Sequence, residues 1–406
     1  MIENELVSII IPNYNHARYL GDAIESALAQ SYTPREVIVL DDGSTDNSRE
    51  VAMHFSGYID YIHQENRGLA PARNAAIRAA TGKYVALLDA DDAYEKHFVG
   101  RAVDALRSQP TARGVYTGYS FIDQKNHPLP QLETRVLPAK ELHKALLFNN
   151  FLVPACVFVE RDCYVQSNLF DERLSACADW DMWLRLSNKY EIVGLPEALV
   201  RYRIVVGSMS SNPQRMLNER LAVLEKHVGA EPPATDPNDR VRRAYAEAYF
   251  RAVIEFLQNE NAEQAETYLH RAAALYPPLI QQRDTLFELL LGGQPRGIRG
   301  NLSQLEITSS CNNLLTVLDN LFDDAETGLR LAPLRNTIYA QAYSIIASAH
   351  YARNHFSETR HFLMRSALAD HDQAVNRQHL SMFAKSLLGT SLVNRFRRRS
   401  VANSYP

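Results

Sequence analysis

Three clusters of aspartate stand where apolar runs break off in the first half of this 406-residue chain. The run Val39-Leu40 ends in Asp41-Asp42-Gly43-Ser44-Thr45-Asp46, two carboxylates followed by a glycine turn. A carboxylate there can accept the N–H of a uracil-like base, and Pro12 and Tyr14, on either side of Asn13, can line the same crevice. Base binding is thereby placed on Asp42, whereas Asp41 and Asp46 read equally as ligands or as caps of a turn or helix. The run 84–88 delivers Asp89, Asp91 and Asp92 within four positions. Unscreened, these charges push one another toward protonation, and a divalent cation relieves the conflict. Hard carboxylate oxygens suit Mn²⁺ or Mg²⁺, which can also grip both phosphates of a nucleotide diphosphate. Asp91 and Asp92 are the metal candidates and Asp89 and Asp91 the donor contacts; the competing reading is a solvated acidic loop.

The third cluster, Asp179-Trp180-Asp181-Met182-Trp183, opens an apolar helix pattern and holds both tryptophans of the chain. An aspartate at a helix N-terminus is often a cap, and the dipole lowers its pKa. A sugar hydroxyl, however, needs its proton removed only as its bond to the anomeric carbon forms, so a carboxylate at 179 can act as catalytic base late in the transition state. The tryptophans read as core residues rather than sugar platforms. Arg67 and Arg73 flank a turn at the start of another helix pattern, suited to anion contacts or to structural ion pairs. Segment 201–210, Arg-Tyr-Arg followed by Gly207 and Ser208, either closes over a donor or leads out of the domain.

The elements that must position these residues follow from the patterning. Between residues 5 and 120, strand-like runs at 6–11, 36–40, 58–62, 84–88 and 114–121 alternate with helical patterns, which predicts an α/β domain with a mostly parallel sheet covered by helices on both faces. In such sheets ligands sit at the carboxyl ends of the strands, where the first two aspartate clusters fall. Thr45, Asp46 and Ser48 supply capping oxygens before Val51, and Thr81-Gly82 closes the alanine-rich helix 70–80. From 120 to 210 the pattern is less regular, with an apolar run at 151–159, a helix at 179–190 and a strand at 199–204. The first domain is assigned to 1–212 and a linker to 213–240, on the strength of the proline-rich stretch that begins at Glu231-Pro232-Pro233.

Residues 241–390 read as an all-α domain. Ala244, Ala248, Ala252 and Phe256, then Ala265, Leu269, Ala272 and Ala273, are spaced for two packed helices ending at Pro277-Pro278, and a second pair lies near 338–368. The small crossing residues are similar to tetratricopeptide-type (TPR-like) repeats, although 280–335 breaks any strict period; an irregular bundle is the alternative. The tail, 391–406, carries Arg395 and Arg397–Arg399 behind apolar residues, either a short basic end or a peripheral contact with an anionic membrane surface.

With 46% hydrophobic residues, 22% charged residues and a formal net charge of −4, the composition excludes a disordered or nucleic-acid-coating chain. Cys156, Cys163, Cys177 and Cys311 form no CxxC pair, which points to neither a zinc site nor a disulfide framework. The N-terminus has acidic residues before a short apolar run, unlike a secretory signal, and the expected location is the cytoplasm or the inner face of the membrane.

Taken together and in order, Ser8-Ile-Ile-Ile-Pro-Asn-Tyr-Asn, Val39-Leu-Asp-Asp-Gly-Ser-Thr-Asp, Gly68-Leu-Ala-Pro-Ala-Arg-Asn, Gly82-Lys-Tyr-Val-Ala-Leu-Leu-Asp-Ala-Asp-Asp and Asp179-Trp-Asp-Met-Trp-Leu-Arg-Leu resemble a family 2 glycosyltransferase of the GT-A fold over about residues 5–210. The resemblance implies a metal-dependent, inverting enzyme. Asp42 would bind the base, Asp89 and Asp91 would form the DXD element, Asp92 would compete for the metal and Asp179 would be the general base. It also implies a nucleotide-sugar donor, a glycan or lipid-linked acceptor in cell-surface polysaccharide synthesis, and no nucleic acid. The helical domain would serve a protein partner or homo-oligomer. In two places the chain departs from the pattern: Ala178 precedes Asp179 where many members have glutamate, and Ile204-Val205-Val206 stands where many have a histidine. The alternative is a nucleotide-sugar-binding scaffold without catalysis.

Overall fold

The strand β1 (Val7–Asn13) is buried along its whole length, as a strand covered by helices on both faces must be. In the computed structural model it is followed by α1 (Ala17–Leu28), β2 (Arg35–Asp41), α2 (Ser48–Met53), β3 (Asp60–His63), α3 (Leu69–Ala79) and β4 (Tyr84–Leu87). The structure describes residues 5–205, 207–208 and 211–387. Parts of the N-terminus and of the 201–210 loop, and the whole tail discussed above, lie outside the described residues.

Strands β3, β2, β1 and β4 are neighbours in that order and all parallel. Beyond β4 come β5 (Ala93–Tyr94), α4 (Phe98–Ser108), β6 (Ala112–Ile122), β7 (Pro128–Glu133), α5 (Ala139–Phe148), β8 (Val157–Glu160), α6 (Arg161–Gln166), α7 (Ala178–Lys189) and β9 (Glu191–Arg203). Here the sheet is mixed: β8 runs antiparallel to β4 and β6, β9 is parallel to β6 but antiparallel to β5, and β7 pairs antiparallel with β6. The change coincides with the loss of strand–helix alternation after residue 120, since antiparallel neighbours need no helical crossover. A stack of Tyr94 on Phe98, centroids 4.1 Å apart, packs edge-on to Phe158 and fills the core behind β4. Trp180 and Trp183 are core residues, as expected.

One boundary is corrected. The stretch expected as a linker from 213 begins with a four-turn helix, α8 (Pro213–Val228), which packs in the first unit. Its start signals are ordinary: Asn212 accepts from Arg215 N at the N-cap and proline occupies the first turn. Met216, Leu217, Val223 and Leu224 form its buried face. The chain divides into one unit of residues 1–230 with 296–298 and a second of 231–295 with 299–406.

The second unit is helical: α9 (Asp239–Gln258), α10 (Ala262–Leu275), α11 (Arg283–Leu291), α12 (Ile307–Asp323), α13 (Ala325–Leu331), α14 (Arg335–Ala352), α15 (Phe356–Ala369) and α16 (Arg377–Ser386). The pairs α9/α10 and α14/α15 are those read from the spacing, with Ala244, Ala248 and Ala252 buried at the first crossing. Asn238, Asn261, Asp324 and Asn376 cap α9, α10, α13 and α16 through their side chains. Among the described residues no helix is long and apolar enough to cross a membrane.

Candidate active site

The end of β2 is a dense hydrogen-bonded corner. Asp42 Oδ1 accepts from Gln64 Nε2 (2.6 Å) and Arg67 N (3.0 Å), and Oδ2 from Gly68 N (2.8 Å). The carboxylate expected to read a base therefore also fixes the turn that starts α3. Gly68 has φ +99°, a left-handed conformation in which a side chain is strained. Gly43 has φ +76°, and a Cβ there would lie 2.7 Å from Asn66 N, so this motif glycine is required on both counts. Asp41 accepts from Tyr61 Oη and from Ser44 N (3.0 Å). Burial alone would raise its pKa, but these bonds and that of His63 hold it below the usual carboxylate range. Asp46 is a cap, accepting from Ala17 N (2.9 Å) and Ser48 N (3.0 Å) at the starts of α1 and α2. Pro12 is buried at the end of β1, while the Tyr14 ring beside it is exposed.

Helix α3 carries the structure from this corner to the second cluster. Arg73, almost fully buried, places Nη2 2.6 Å from Asp89 Oδ1 and lies over the Phe170 ring at 5.5 Å. Its Nε is buried without a hydrogen-bond partner. The adjacent Asn74 donates to Phe170 O (2.9 Å) and accepts from Phe170 N (2.8 Å). The pair Arg73-Asn74 thus ties the end of β4 to the loop that leads into α7. Of the two readings open for this arginine in the sequence, an anion contact or a structural ion pair, the structure shows the ion pair, with Asp89.

Asp91 and Asp92 divide the two candidate metal positions. Asp89 and Asp91 are partly accessible, whereas Asp92 is buried. Asp92 Oδ1 accepts from Arg203 N (2.9 Å), and its Oδ2 is buried with no hydrogen-bond partner. Burial raises the Asp92 carboxyl well above the usual range, with Asp91 and Asp89 adding to it. Burial and the charge of Asp89 also raise Asp91, while His16 and Arg203 oppose the rise. Arg203, which falls in sequence at the junction of the last strand and the segment that follows it, is the hub of this corner. Its Nε donates to Asp91 O (2.6 Å), its Nη1 to Asn126 Oδ1 (2.6 Å) and its Nη2 to Asp22 Oδ2 (3.2 Å), and the guanidinium lies 4.7 Å from the Tyr19 ring centroid. Among the described residues no group of three His, Cys, Asp or Glu side chains is arranged to hold a metal by itself. The mutual repulsion of these aspartates and the unpartnered Asp92 oxygen fit a cation that takes further oxygens from a bound diphosphate.

Asp179 lies in the first turn of α7, with Asn150 Nδ2 at 3.3 Å from its Oδ2 and Trp180 N at 2.7 Å from its Oδ1. Burial lifts its carboxyl to about 6, with Asp89 adding to the rise; Arg73, the Trp180 N–H and Asn150 pull it down. Arg73 and Asp89 therefore act on Asp179 as well as on each other, which brings the third cluster into electrostatic reach of the second.

What holds α7 in place escaped the sequence reading. Glu219 of α8 accepts from Ser175 N (3.0 Å), Ala176 N (2.6 Å) and Cys177 N (2.9 Å), the three amides ahead of the helix, and from Ser175 Oγ. Asp181, fully buried, meets Arg185 Nη2 (2.7 Å), Lys226 Nζ (2.7 Å) and His227 Nε2 (2.9 Å). Burial would raise Asp181, but these partners hold it down at about 2. The acidic residues of the Asp179 motif thus split into one that stays partly accessible and one that is buried and anchors the helix.

The chain is similar to known glycosyltransferases. The family model described as glycosyl transferase family 2 matches residues 8–164. An uncharacterized glycosyltransferase of Rickettsia prowazekii is 34% identical over 222 residues, covering 54% of this chain and 70% of that protein. TuaG of Bacillus subtilis, a glycosyltransferase named for teichuronic acid biosynthesis, is 34% identical over 212 residues, covering 51% of this chain and 82% of TuaG. A crystal structure of S. aureus TarS 1-349 with UDP-GlcNAc shares the fold, with a TM-score of 0.52 at 15% identity over 82% of this chain and 90% of that one. By its motifs, its GT-A architecture and its extended match to these relatives, the chain belongs to glycosyltransferase family 2.

Proposed function

We propose that this glycosyltransferase is a metal-dependent, inverting enzyme that moves a sugar from a nucleotide diphosphate, a UDP-sugar by preference, to a hydroxyl of a glycan or lipid-linked acceptor in cell-surface polysaccharide synthesis. The observation that carries the reading is Asp179. Its carboxyl, held at about 6, is ionised at neutral pH yet basic enough to take a proton. As the acceptor oxygen bonds to the anomeric carbon, Asp179 takes the hydroxyl proton. The bond from that carbon to the diphosphate oxygen breaks, and its electron pair leaves with the diphosphate. Attack opposite the leaving group inverts the configuration.

Asp91 would be the main holder of Mn²⁺ or Mg²⁺, because it is the more accessible of the pair, with Asp92 behind it. Such an ion supplies neutralisation of charge on the departing diphosphate. Asp89, steadied by Arg73, serves the donor. Asp42 shapes the turn 64–68 beside the base, and Pro12 and the exposed Tyr14 ring supply apolar surface for that base. Relatives named for teichuronic acid biosynthesis and as a chondroitin synthase support the polysaccharide assignment.

The test is hydrolysis of a panel of nucleotide sugars with Mn²⁺ or Mg²⁺ by wild type, Asp91→Ala and Asp179→Asn. Metal-dependent turnover is expected to disappear in the first variant, and donor binding to survive in the second. Full transfer activity in Asp179→Asn would remove the base from the mechanism.

A further inference from the structure

Residues 296–298 belong to the first unit, although the chain on either side of them belongs to the second. Two hydrogen bonds fasten this turn to β7: Gln131 N donates to Gly297 O (3.1 Å), and Gly297 N donates to Gln131 Oε1 (2.7 Å). Gly297 is buried at φ +84°, and a Cβ on it would lie 2.4 Å from Leu129 Cδ1, so so close a seat on the strand calls for glycine. The turn thereby holds the half-buried Arg296 within the first unit.

The strands say what lies near it. Glu133, two residues along β7 from Gln131, pairs with Tyr119 of β6, and Phe121 of β6 pairs with Tyr202 of β9. The rings pack together, with the Tyr119 centroid 5.4 Å from that of Phe121 and 5.9 Å from that of Tyr202. Burial raises the Tyr119 and Tyr202 phenols, and the charge of Arg296 opposes the rise in both. Asp92, Asp91 and Asp89 add to the rise at Tyr202, and Glu133, 4.0 Å from Arg135, adds to it at Tyr119. Tyr202 is therefore within electrostatic reach of both Arg296 and the aspartates that follow β4.

Sheet order separates this corner from the donor residues. The strands run β3, β2, β1, β4, β8, β6, β9 across the sheet. Asp42 and Asp89 follow β2 and β4, whereas Tyr119 and Tyr202 stand on strands beyond β8. A guanidinium and two neutral phenols are hydrogen-bond donors suited to a carboxylate or phosphate, and here they lie on the side of the sheet left to the second substrate.

Resting on the donor and acceptor reading above, we propose that Arg296 is an acceptor-binding residue. With the hydroxyls of Tyr202 and Tyr119 beside it, it takes an oxyanion, carboxylate or phosphate, carried by the acceptor. The enzyme thereby selects an acidic acceptor over a neutral one.

The test is titration calorimetry of the full chain, loaded with UDP and Mn²⁺, against two anionic probes and their neutral counterparts. The pairs are farnesyl diphosphate with farnesol, and a hexasaccharide of alternating N-acetylglucosamine and glucuronic acid with chitohexaose. At least one anionic probe is expected to bind about tenfold or more tightly than its counterpart. A preference in the first pair makes the oxyanion a lipid-borne phosphate, and in the second a sugar carboxylate. Arg296→Gln, with unchanged circular dichroism, should lose about tenfold of that affinity while UDP binding is unaltered, and Arg296→Lys should keep part of it. Wild-type affinity in Arg296→Gln overturns the proposal. So does an equal loss of UDP affinity, which would make the residue a donor contact. Should Arg296→Gln misfold, the preference of the wild type still decides. Binding of UDP without any preference for an anionic probe removes this inference alone, whereas failure to bind UDP with Mn²⁺ removes the donor reading beneath it as well.

Discussion

Arg73 Nη2 stands 2.6 Å from Asp89 Oδ1, and the same buried guanidinium is the strongest opposing influence on the raised Asp179 carboxyl. One cation thereby acts on the protonation of Asp179, the proposed base, and on the position of Asp89, the proposed donor contact.

For the wild type, kcat/KM should rise with pH around about 6 as Asp179 loses its proton. Arg73→Gln removes the charge that favours the ionised form, so the midpoint should move upward, measured as a pH–rate profile at saturating metal. A midpoint unmoved by that change would show that another group controls the limb.

Stability should respond in the opposite sense to activity. Asp179 is protonated more readily folded than unfolded, so its ionisation weakens the fold. That penalty is absent below the ordinary value of 3.8, grows as pH rises and is complete above about 6. Asp179→Asn should therefore stabilise the protein at pH 7.5 by up to about 3 kcal/mol and hardly at all near pH 4, while transfer is lost. Thermal melts at the two pH values check the difference.

Asp91 and Asp92 should separate cleanly. Asp91→Asn is expected to lower metal-dependent turnover by about a hundredfold or more with no loss of Tm, since the residue is partly accessible, its charge is opposed by burial and by Asp89, and its proposed role is on charge developing in the reaction. Asp92→Ala strands the amide of Arg203 in a buried site and should cost about 1–3 kcal/mol of stability. Denaturant titration of both variants beside Mn²⁺ calorimetry distinguishes them; equal Tm values would argue against the division.

Glu219→Ala should act on Asp179 from a distance. It removes a charged acceptor from three amides ahead of α7, which should cost about 1.5–3 kcal/mol and loosen the base. The expected kinetic signature is a fall in kcat of about tenfold with donor KM little altered.

The sequence carried the strands and the aspartates because both depend on local pattern: apolar runs such as 84–88 end abruptly in carboxylates. It also carried the helix pairs α9/α10 and α14/α15, whose alanines recur at helical spacing. Other roles depended on partners far along the chain. Asp42 joins amides 25 and 26 residues away, Asn74 grips Phe170, and Arg203 reaches Asp22, 181 residues distant. No local signal announces such pairings. Helix α8 did have one, Asn212-Pro213, but the prolines from Pro232 onward drew the expected linker too far back.

The edge of the catalytic region is therefore set by a charge, not by a motif. A fragment stopped at residue 212 would contain every aspartate of the three clusters and all of the family match, yet it would strip the wholly interior Asp181 of Lys226 and His227. An anion sealed in the interior and deprived of most of its counter-charges is a severe liability. Such a fragment should emerge insoluble or loosely folded, whereas one carried through residue 230 retains both partners.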